Sequence, residues 1–163
     1  MNKRVILLVS VLMMSLNCKS EVIISGGNKY DLKFGLLQHE NGRSVVYKET
    51  SQIPFVSKQD DPNYRFGYTI DSLDKKSFSY SNKLYAPKIR AITSKLNLDV
   101  NVDSNDHVIV DFKPQFVDCE KYNQCYGAAL YWLDETDPTG TYKLEIYVNG
   151  AFLKTVKFEV IQK

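Results

Sequence analysis

The chain has 163 residues, of which 44% are hydrophobic and 25% are charged, and its formal net charge is +2. This length is typical of one domain that can bury a substantial core. A charge so close to zero excludes the basic footprint of a nucleic-acid-binding protein and makes an anionic membrane surface an unfavourable partner.

The first twenty residues resemble a secretory signal peptide. A basic start at Lys3 and Arg4 precedes an apolar run over residues 5–16, and small polar residues follow. The run is too short for a stable membrane anchor. We therefore expect cleavage before Glu21 and a mature protein, residues 21–163, that is periplasmic or secreted and carries no transmembrane anchor.

Two alternatives to simple cleavage stay open. The first is lipidation at Cys18, which would attach the protein to the outer membrane, although Ser15 stands where a lipoprotein signal usually carries leucine. The second is an uncleaved anchor. The leader contains three cations, Lys3, Arg4 and Lys19, and no acid, so its removal changes the formal charge from +2 to −1.

The first half of the mature chain reads as strands. Apolar residues alternate over residues 30–36, the dipeptide Asn41-Gly42 then marks a turn, and residues 44–48 return, which predicts a hairpin. Alternation over residues 64–70 predicts another strand. Gly67 inside that strand indicates a bulge or a close backbone approach.

The second half contains the only predicted helix and further strands. Residues 85–96 have helical spacing, with Pro87 suited to a first turn. Alternation over residues 96–102 and 108–112 predicts a hairpin, and residues 126–133 predict a well-buried strand.

A closing hairpin is predicted around Asn149-Gly150, because apolar residues alternate on both sides of this turn signal. A two-residue turn would place the apolar positions of one strand opposite the polar positions of the other. A three-residue loop instead pairs Ile146 with Phe152 and Tyr142 with Val156. Since a slip of one residue turns every side chain to the other face, the pattern predicts the longer loop.

About eight strands with regularly spaced turns and at most one short helix predict an all-β fold. The expected architecture is a single antiparallel β-sandwich over residues 21–163, with a β-barrel as the less favoured alternative.

Cys119 and Cys125 are predicted to form a disulfide, because an exported chain enters an oxidising compartment. A metal pair and a redox pair are the alternatives. A metal site needs further ligands nearby, and His39 and His107 are remote in sequence. Redox motifs favour two intervening residues rather than five.

No catalytic residue and no cofactor are predicted. The chain has no nucleophile elbow, phosphate loop or dinucleotide fingerprint. His39 and His107 flank turns, where histidines are usually solvated, and the acidic pairs Asp60-Asp61 and Asp134-Glu135 also adjoin turns. Glycosidases need two carboxylates that face each other, which a sequence does not display.

Calcium binding is likewise not predicted. Asp99, Asn101, Asp103 and Asn105 match the spacing of the first ligands of a calcium loop, but Ser104 stands where that loop needs glycine. The polar face of a strand that enters a turn explains the same pattern.

Aromatic residues in the less regular middle of the chain are the best candidates for binding. Tyr122 and Tyr126, beside the predicted disulfide, are the predicted contact residues, and Phe78, Tyr80 and Tyr85 are weaker candidates. The alternative for all five is ordinary packing in the core or at a sheet edge.

Four short stretches stand out at the two ends of the mature chain. They are Lys29-Tyr30; Thr50-Ser51-Gln52-Ile53-Pro54; Tyr64-Arg65-Phe66-Gly67-Tyr68; and Gly140-Thr141-Tyr142-Lys143-Leu144-Glu145 together with Phe158-Glu159-Val160. These stretches are similar to motifs of a family of small uncharacterised bacterial exported domains. The resemblance implies an immunoglobulin-like sandwich and no particular activity.

The expected function is therefore non-enzymatic binding, with another envelope protein as the partner. One alternative is a periplasmic immunity protein or inhibitor that blocks a toxin or hydrolase. A second is a glycan-acting periplasmic hydrolase, and a third is a structural subunit that self-associates through an open strand edge.

Overall fold

The structure, a computed structural model, describes residues 21–87, 98–102 and 108–162, with only the backbone described for residues 98–102 and 108. These ranges contain eleven strands and one short helix. In chain order the elements are β1 (Glu21–Ser25), β2 (Asn28–Glu40), β3 (Arg43–Glu49), β4 (Gln52–Pro54), β5 (Arg65–Ser72), β6 (Phe78–Ala86), β7 (Leu98–Val102), β8 (Val108–Val117), α1 (Cys119–Tyr122), β9 (Tyr126–Tyr131), β10 (Gly140–Val148) and β11 (Ala151–Ile161).

The strands form two sheets. The first has the order β1-β2-β5-β9, and β3 also pairs with β2, on residues further along that long strand. The second has the order β4-β11-β10-β6-β8-β7. Every pair is antiparallel except β4 with β11, which is parallel. The predicted all-β, mainly antiparallel sandwich is confirmed, with more strands than the eight expected. Short strands such as β1 and β4 carry too few residues to show alternation.

The core lies between the two sheets and is rich in aromatic rings. Even-numbered residues from Tyr30 to Leu36 in β2 and from Phe66 to Ser72 in β5 are buried, as their alternation predicts. Ring contacts cross between the sheets from Tyr30 to Phe78 and from Phe34 to Phe158, with centroid distances of 5.5 and 5.0 Å. Such ring pairs add to the stabilisation that burial of their apolar area provides.

Two buried tyrosines differ in how their hydroxyl groups are satisfied. The Tyr68 hydroxyl donates to Asn82 Oδ1 at 3.0 Å, whereas the Tyr131 hydroxyl has no hydrogen-bond partner among the described residues. Burial raises the pKa of both hydroxyls well above the usual value, so both are neutral donors.

Removal of these two hydroxyls is expected to have opposite consequences. Tyr68→Phe leaves Asn82 Oδ1 buried without its donor and should cost about 1–3 kcal/mol of the free energy of unfolding. Tyr131→Phe removes a buried group without a partner and should be neutral or stabilising. Urea denaturation of the two variants and the wild type measures both effects, and an equal loss in the two variants would contradict the assignment.

The closing hairpin differs from the predicted register. Asn149-Gly150 forms a two-residue turn, so Val148 lies opposite Ala151 and Tyr147 opposite Phe152. A bulge at Leu153 then shifts the register, which brings Tyr142 opposite Phe158. The predicted pairs of Ile146 with Phe152 and Tyr142 with Val156 are therefore wrong. The bulge satisfies both the turn signal and the apolar pattern, because it inserts one residue into one strand.

The helix predicted over residues 85–96 falls largely on residues 88–97, which lie outside the described ranges. Tyr85 and Ala86 belong to β6 rather than to a helix. The helix that is described, α1, is a single turn that Asp118 caps by accepting a hydrogen bond from the Lys121 N–H at 3.0 Å. The predicted pairing of β7 with β8 is confirmed, while its turn lies outside the described residues.

Gly67 confirms the predicted close approach of two backbones. It lies in β5 with φ +146°, and a Cβ atom added there would lie 2.0 Å from the carbonyl oxygen of Ala129 in β9. No side chain fits between these strands at this position.

Candidate functional site

The tip of the β2–β3 hairpin folds back over the outer face of the first sheet, the face turned away from the core. Beyond Leu37, which is opposite Arg65, β2 no longer pairs with β5. The hairpin continues through residues 38–45, which we call the hairpin arm. Its residue Arg43 nevertheless contacts Asp71 near the far end of β5, so the arm bends back across the sheet.

Three contacts hold the tip of the arm, and we call this group the latch. A nitrogen of the Arg43 guanidinium lies 2.5 Å from Asp71 Oδ1. The guanidinium carbon lies 4.0 Å from the centroid of the Tyr126 ring. The Tyr126 hydroxyl donates to the Ser44 carbonyl oxygen. Together these contacts join the arm to β5 and β9.

The charges below the latch explain why a cation is needed there. Asp31 and Asp71 are directly opposite each other in β2 and β5, and like charges in such a pair are unfavourable. Lys33 lies 3.5 Å from Asp31, and Arg43 pairs with Asp71. Burial raises the pKa of the Asp71 carboxyl, and the Arg43 guanidinium opposes that shift.

The arm covers part of the outer face. Leu37 and Thr69 point away from the core, yet their exposed fractions are only 3% and 4%. Between the arm and the sheet lies an open cleft of about 570 Å³. The arm and β3 contribute Gln38, His39, Ser44 and Tyr47 to its lining, and β2, β5, β9 and the loop before β5 contribute Leu37, Asp61, Asn63, Tyr64, Arg65 and Leu130.

Tyr47, Arg65 and Leu130 line the cleft, and Trp132 and Lys58 adjoin it because Lys58 and Arg65 both lie against the Trp132 ring. Tyr47, Leu130 and Trp132 have exposed fractions of 52%, 40% and 38%. Lys58 Nζ and the Arg65 guanidinium carbon lie 4.7 and 5.4 Å from the Trp132 ring centroid. We call these five residues the cleft rim.

Backbone contacts position the cleft rim. The N–H of Lys58 donates to the Leu133 carbonyl oxygen at 2.8 Å, which holds Lys58 next to Trp132. The Arg65 guanidinium donates to the Tyr64 carbonyl oxygen at 2.7 Å, and the Tyr64 hydroxyl donates to the Pro54 carbonyl oxygen at 2.9 Å. Burial, with a smaller contribution from nearby Tyr47, raises the pKa of Tyr64 to about 12.

The structure separates the two predicted contact residues. Tyr126 is half-buried and engaged in the latch, whereas Tyr122 is 61% exposed on α1, with Lys121 Nζ 4.9 Å from its ring centroid. A role of either residue in ligand binding stays a prediction. The sequence alone does not mark Trp132, Tyr47 or Arg65 as binding residues, because the apolar run over residues 126–133 predicts a buried strand that includes Trp132.

The weaker aromatic candidates pack in or near the second sheet. Phe78 belongs to the core, and the Tyr80 hydroxyl donates to the Ala128 carbonyl oxygen at 2.9 Å. The Tyr85 hydroxyl donates to Glu145 Oε2 at 2.9 Å, while Lys143 Nζ lies 3.6 Å from the Tyr85 ring centroid. None of the three lines the cleft.

His39 and Asp61 are brought into the same cleft, although the sequence suggested only that each flanks a turn. Asp61 Oδ1 accepts a hydrogen bond from the Asn63 N–H at 2.9 Å, so it stabilises the local turn. Asp60 accepts one from Ser57 Oγ at 2.9 Å. His107, Asp103 and Asn105 lie outside the described residues.

Within the described ranges, histidine, cysteine, aspartate and glutamate side chains form no group of three arranged to hold a metal ion. Across the same part of the chain, no helix is long and apolar enough to cross a membrane.

The predicted disulfide between Cys119 and Cys125 is present, with 4.7 Å between the Cα atoms. It closes α1 into a small loop just before β9. Replacement of both cysteines by alanine is expected to lower the free energy of unfolding by about 2 kcal/mol, because the unfolded chain regains loop entropy. Thermal unfolding measures this, and a melting temperature that is unchanged in both the variant and the reduced wild type would contradict it.

The chain was compared with known proteins. The family model of the PM0630 beta sandwich domain matches residues 32–161. A search of curated protein sequences finds no significant match. Among solved structures, an immunoglobulin-like protein from Pseudomonas aeruginosa is similar, with 15% identity, a TM-score of 0.45, and coverage of 87% of this chain and 98% of that chain.

Two larger enzymes contain similar regions. The Pseudomonas fluorescens alkylpurine DNA glycosylase AlkC has 13% identity, a TM-score of 0.35, and coverage of 79% of this chain and 30% of that chain. A Listeria innocua β-glucosidase has 8% identity, a TM-score of 0.34, and coverage of 83% of this chain and 16% of that chain. The chain spans less than a third of either enzyme. Because the family model matches most of the sequence, this chain belongs to the PM0630 beta sandwich domain family.

Proposed function

We propose that this protein is an exported, non-enzymatic binding protein that contacts a partner protein of the cell envelope through the cleft rim. The observation that carries this proposal is the combination of exposed Trp132, Tyr47 and Leu130 with Lys58 and Arg65 at one place. Tryptophan, tyrosine and arginine are the residues that most often dominate the energetics of protein interfaces.

The charges at the cleft favour a protein partner over a strongly charged ligand. Arg65 and Asp61 both line the cleft, so cationic and anionic side chains are mixed there. A polyanion would meet repulsion from Asp61 as well as attraction from Arg65. A protein surface supplies mixed charges around an apolar contact.

A hydrolytic function has less support at this cleft. Hydrolysis of a glycoside uses two carboxylates on opposite sides of the bond that breaks. Among the described residues that line the cleft, Asp61 is the one carboxylate, and the Asn63 N–H occupies one of its oxygens. The cleft is also open to solvent, so it does not enclose a bound substrate.

Export is supported by the leader-like first twenty residues and by the disulfide, since disulfides persist in oxidising compartments. The intact mass of the protein purified from its native cells tests this part. We expect the mass of a chain that begins at Glu21. The mass of a lipid-modified chain that begins at Cys18 would favour the anchored alternative, and the mass of the full-length chain would contradict export by cleavage.

Site-specific photocrosslinking in living cells tests the binding surface. A photoreactive amino acid replaces Trp132 or Tyr47 in separate variants, and Phe116 in a control variant, because Phe116 is 71% exposed on the second sheet. We expect the two rim positions to capture the same single protein and the Phe116 position not to capture it. Equal capture from all three positions, or none from the rim, would contradict the proposal.

The identity of the captured protein separates the narrower alternatives. A secreted toxin or hydrolase selects the inhibitor function. A second copy of this chain as the sole product selects a structural subunit and overturns the proposal of an envelope partner.

A further inference from the structure

The hairpin arm is attached to the rest of the protein by strand pairing at its base and by the latch contacts at its tip. At its base, β2 pairs with β5 up to Leu37 and Arg65, within a continuous sheet. At its tip, the attachment consists of the latch contacts of Arg43 and Ser44 with Asp71 and Tyr126. The cleft lies between these two ends.

The base of the arm contains a bend. The register of β2 and β3 shifts between Leu36 and Leu37, so Tyr47 is an extra residue in β3. Such bulges bend a strand pair and increase its twist. Gly35 adjoins the bend, and a Cβ atom added there would lie 2.1 Å from the Lys48 carbonyl oxygen. The bulge supplies a defined position about which the arm can pivot.

The latch consists of polar contacts that water can replace. The side chains of Arg43 and Asp71 are 44% and 32% exposed. An ion pair with this exposure is weak because both groups remain partly hydrated, and a cation over the half-buried Tyr126 ring adds only a modest attraction. Loss of the latch therefore leaves the core between the sheets intact.

Opening would change the surface that faces a partner. Leu37 and Thr69, now almost fully buried on the outer face, would become accessible, and Ser44 and His39 would move away from Arg65 and Leu130. The open form would present a larger apolar surface next to Trp132.

We propose that the hairpin arm is a flap that pivots at the bulge beside Leu37, that the latch of Arg43, Asp71 and Tyr126 holds it closed, and that its opening regulates access of the partner to the cleft. This inference rests on the proposed function of the cleft rim. The partner gains the apolar surface that opening uncovers, so it binds the open form more tightly and shifts the population toward it.

Hydrogen exchange of the mature protein, read by mass spectrometry, tests the latch. The variants are Arg43→Ala and Asp71→Asn, and the matched control is Lys83→Ala, because the ion pair of Lys83 and Asp111 has side-chain exposures of 42% and 31% on the second sheet. We expect amides of residues 38–45 to exchange about tenfold faster in both latch variants, with β5, β9 and the control unchanged. Unchanged exchange rates of the arm amides, or faster amide exchange in all strands, would contradict the role of the latch in holding the arm closed.

Crosslinking from the Tyr47 position then tests regulation. With the latch variants we expect a higher yield of the captured partner than with the wild type or Lys83→Ala. If Trp132→Ala abolishes capture but the latch variants leave the yield unchanged, the regulatory role is wrong and the proposed function stands. If Trp132→Ala leaves capture unchanged, the proposed function itself fails, whatever the arm does.

Discussion

Phe158→Ala is expected to lower the free energy of unfolding by about 3–5 kcal/mol. Phe158 is 3% exposed, and its ring centroid lies 5.0 Å from that of Phe34, 5.6 Å from that of Phe66 and 5.3 Å from that of Tyr142. Two of these neighbours belong to the opposite sheet, so the truncation leaves a cavity where the sheets meet. A typical domain is stable by only about 5–15 kcal/mol, so the variant should be close to unfolding.

Phe152 provides a control on the same strand. It is 56% exposed and contacts Tyr147 on the outer face of the second sheet, with 5.9 Å between the centroids. Phe152→Ala should cost less than about 1 kcal/mol, because no cavity forms. Urea denaturation at constant temperature measures both variants. Similar losses for the two would mean that Phe158 does not hold the sheets together.

Gly67→Ala is expected to cost about 3 kcal/mol or more, although it adds only one methyl group. The added Cβ would lie 2.0 Å from the Ala129 carbonyl oxygen and 3.2 Å from Leu37 Cδ1. The first neighbour is backbone, so β5 and β9 must separate or Gly67 must leave its φ of +146°. Either change weakens the pairing that positions Leu130 and Trp132.

The control for Gly67 is a glycine with an unusual φ but free space. Gly26, in the turn between β1 and β2, has φ +56°, and nothing lies within 4 Å of an added Cβ. Gly26→Ala should therefore cost only about 1 kcal/mol, from backbone strain alone. If denaturation midpoints show that the two substitutions cost the same, steric exclusion at Gly67 is not the dominant effect.

Period-two patterning predicted the long strands because it reflects burial on one face. Tyr30, Leu32 and Phe34 of β2 are all buried, as their alternation indicates. The predicted register of the closing hairpin was wrong because its turn signal and its apolar pattern differ by one residue. Either a longer loop or a β-bulge can absorb that extra residue. The protein uses a bulge at Leu153, which the sequence pattern does not distinguish from a longer loop.

The cleft could not be predicted from the sequence because it depends on contacts between distant residues. Arg43 and Asp71 are 28 positions apart, and Tyr126 and Ser44 are 82 positions apart. Neither spacing in the sequence indicates that the two residues are in contact. The disulfide was predictable, since two cysteines in an expected exported domain have few other partners.

Trp132 illustrates how position within a strand limits prediction. Its neighbours Tyr131 and Leu133 are buried, so an apolar run alone predicted a buried residue. Alternation places Trp132 on the outer face of the first sheet, opposite to the core, and Lys58 and Arg65 lie against its ring there. A tryptophan between two buried residues at a strand end is therefore better read as a surface position.

The contact between Tyr80 and Ala128 has a consequence for self-association. Among the described strands β9 ends the first sheet, and an end strand without a neighbour is a template on which another chain can add. The Tyr80 hydroxyl occupies the Ala128 carbonyl oxygen, and a Cβ atom at Gly127 would lie 2.6 Å from the Tyr80 ring. One tyrosine from the second sheet thus caps the border of the first, and a fibril that grew from this border would first have to displace it.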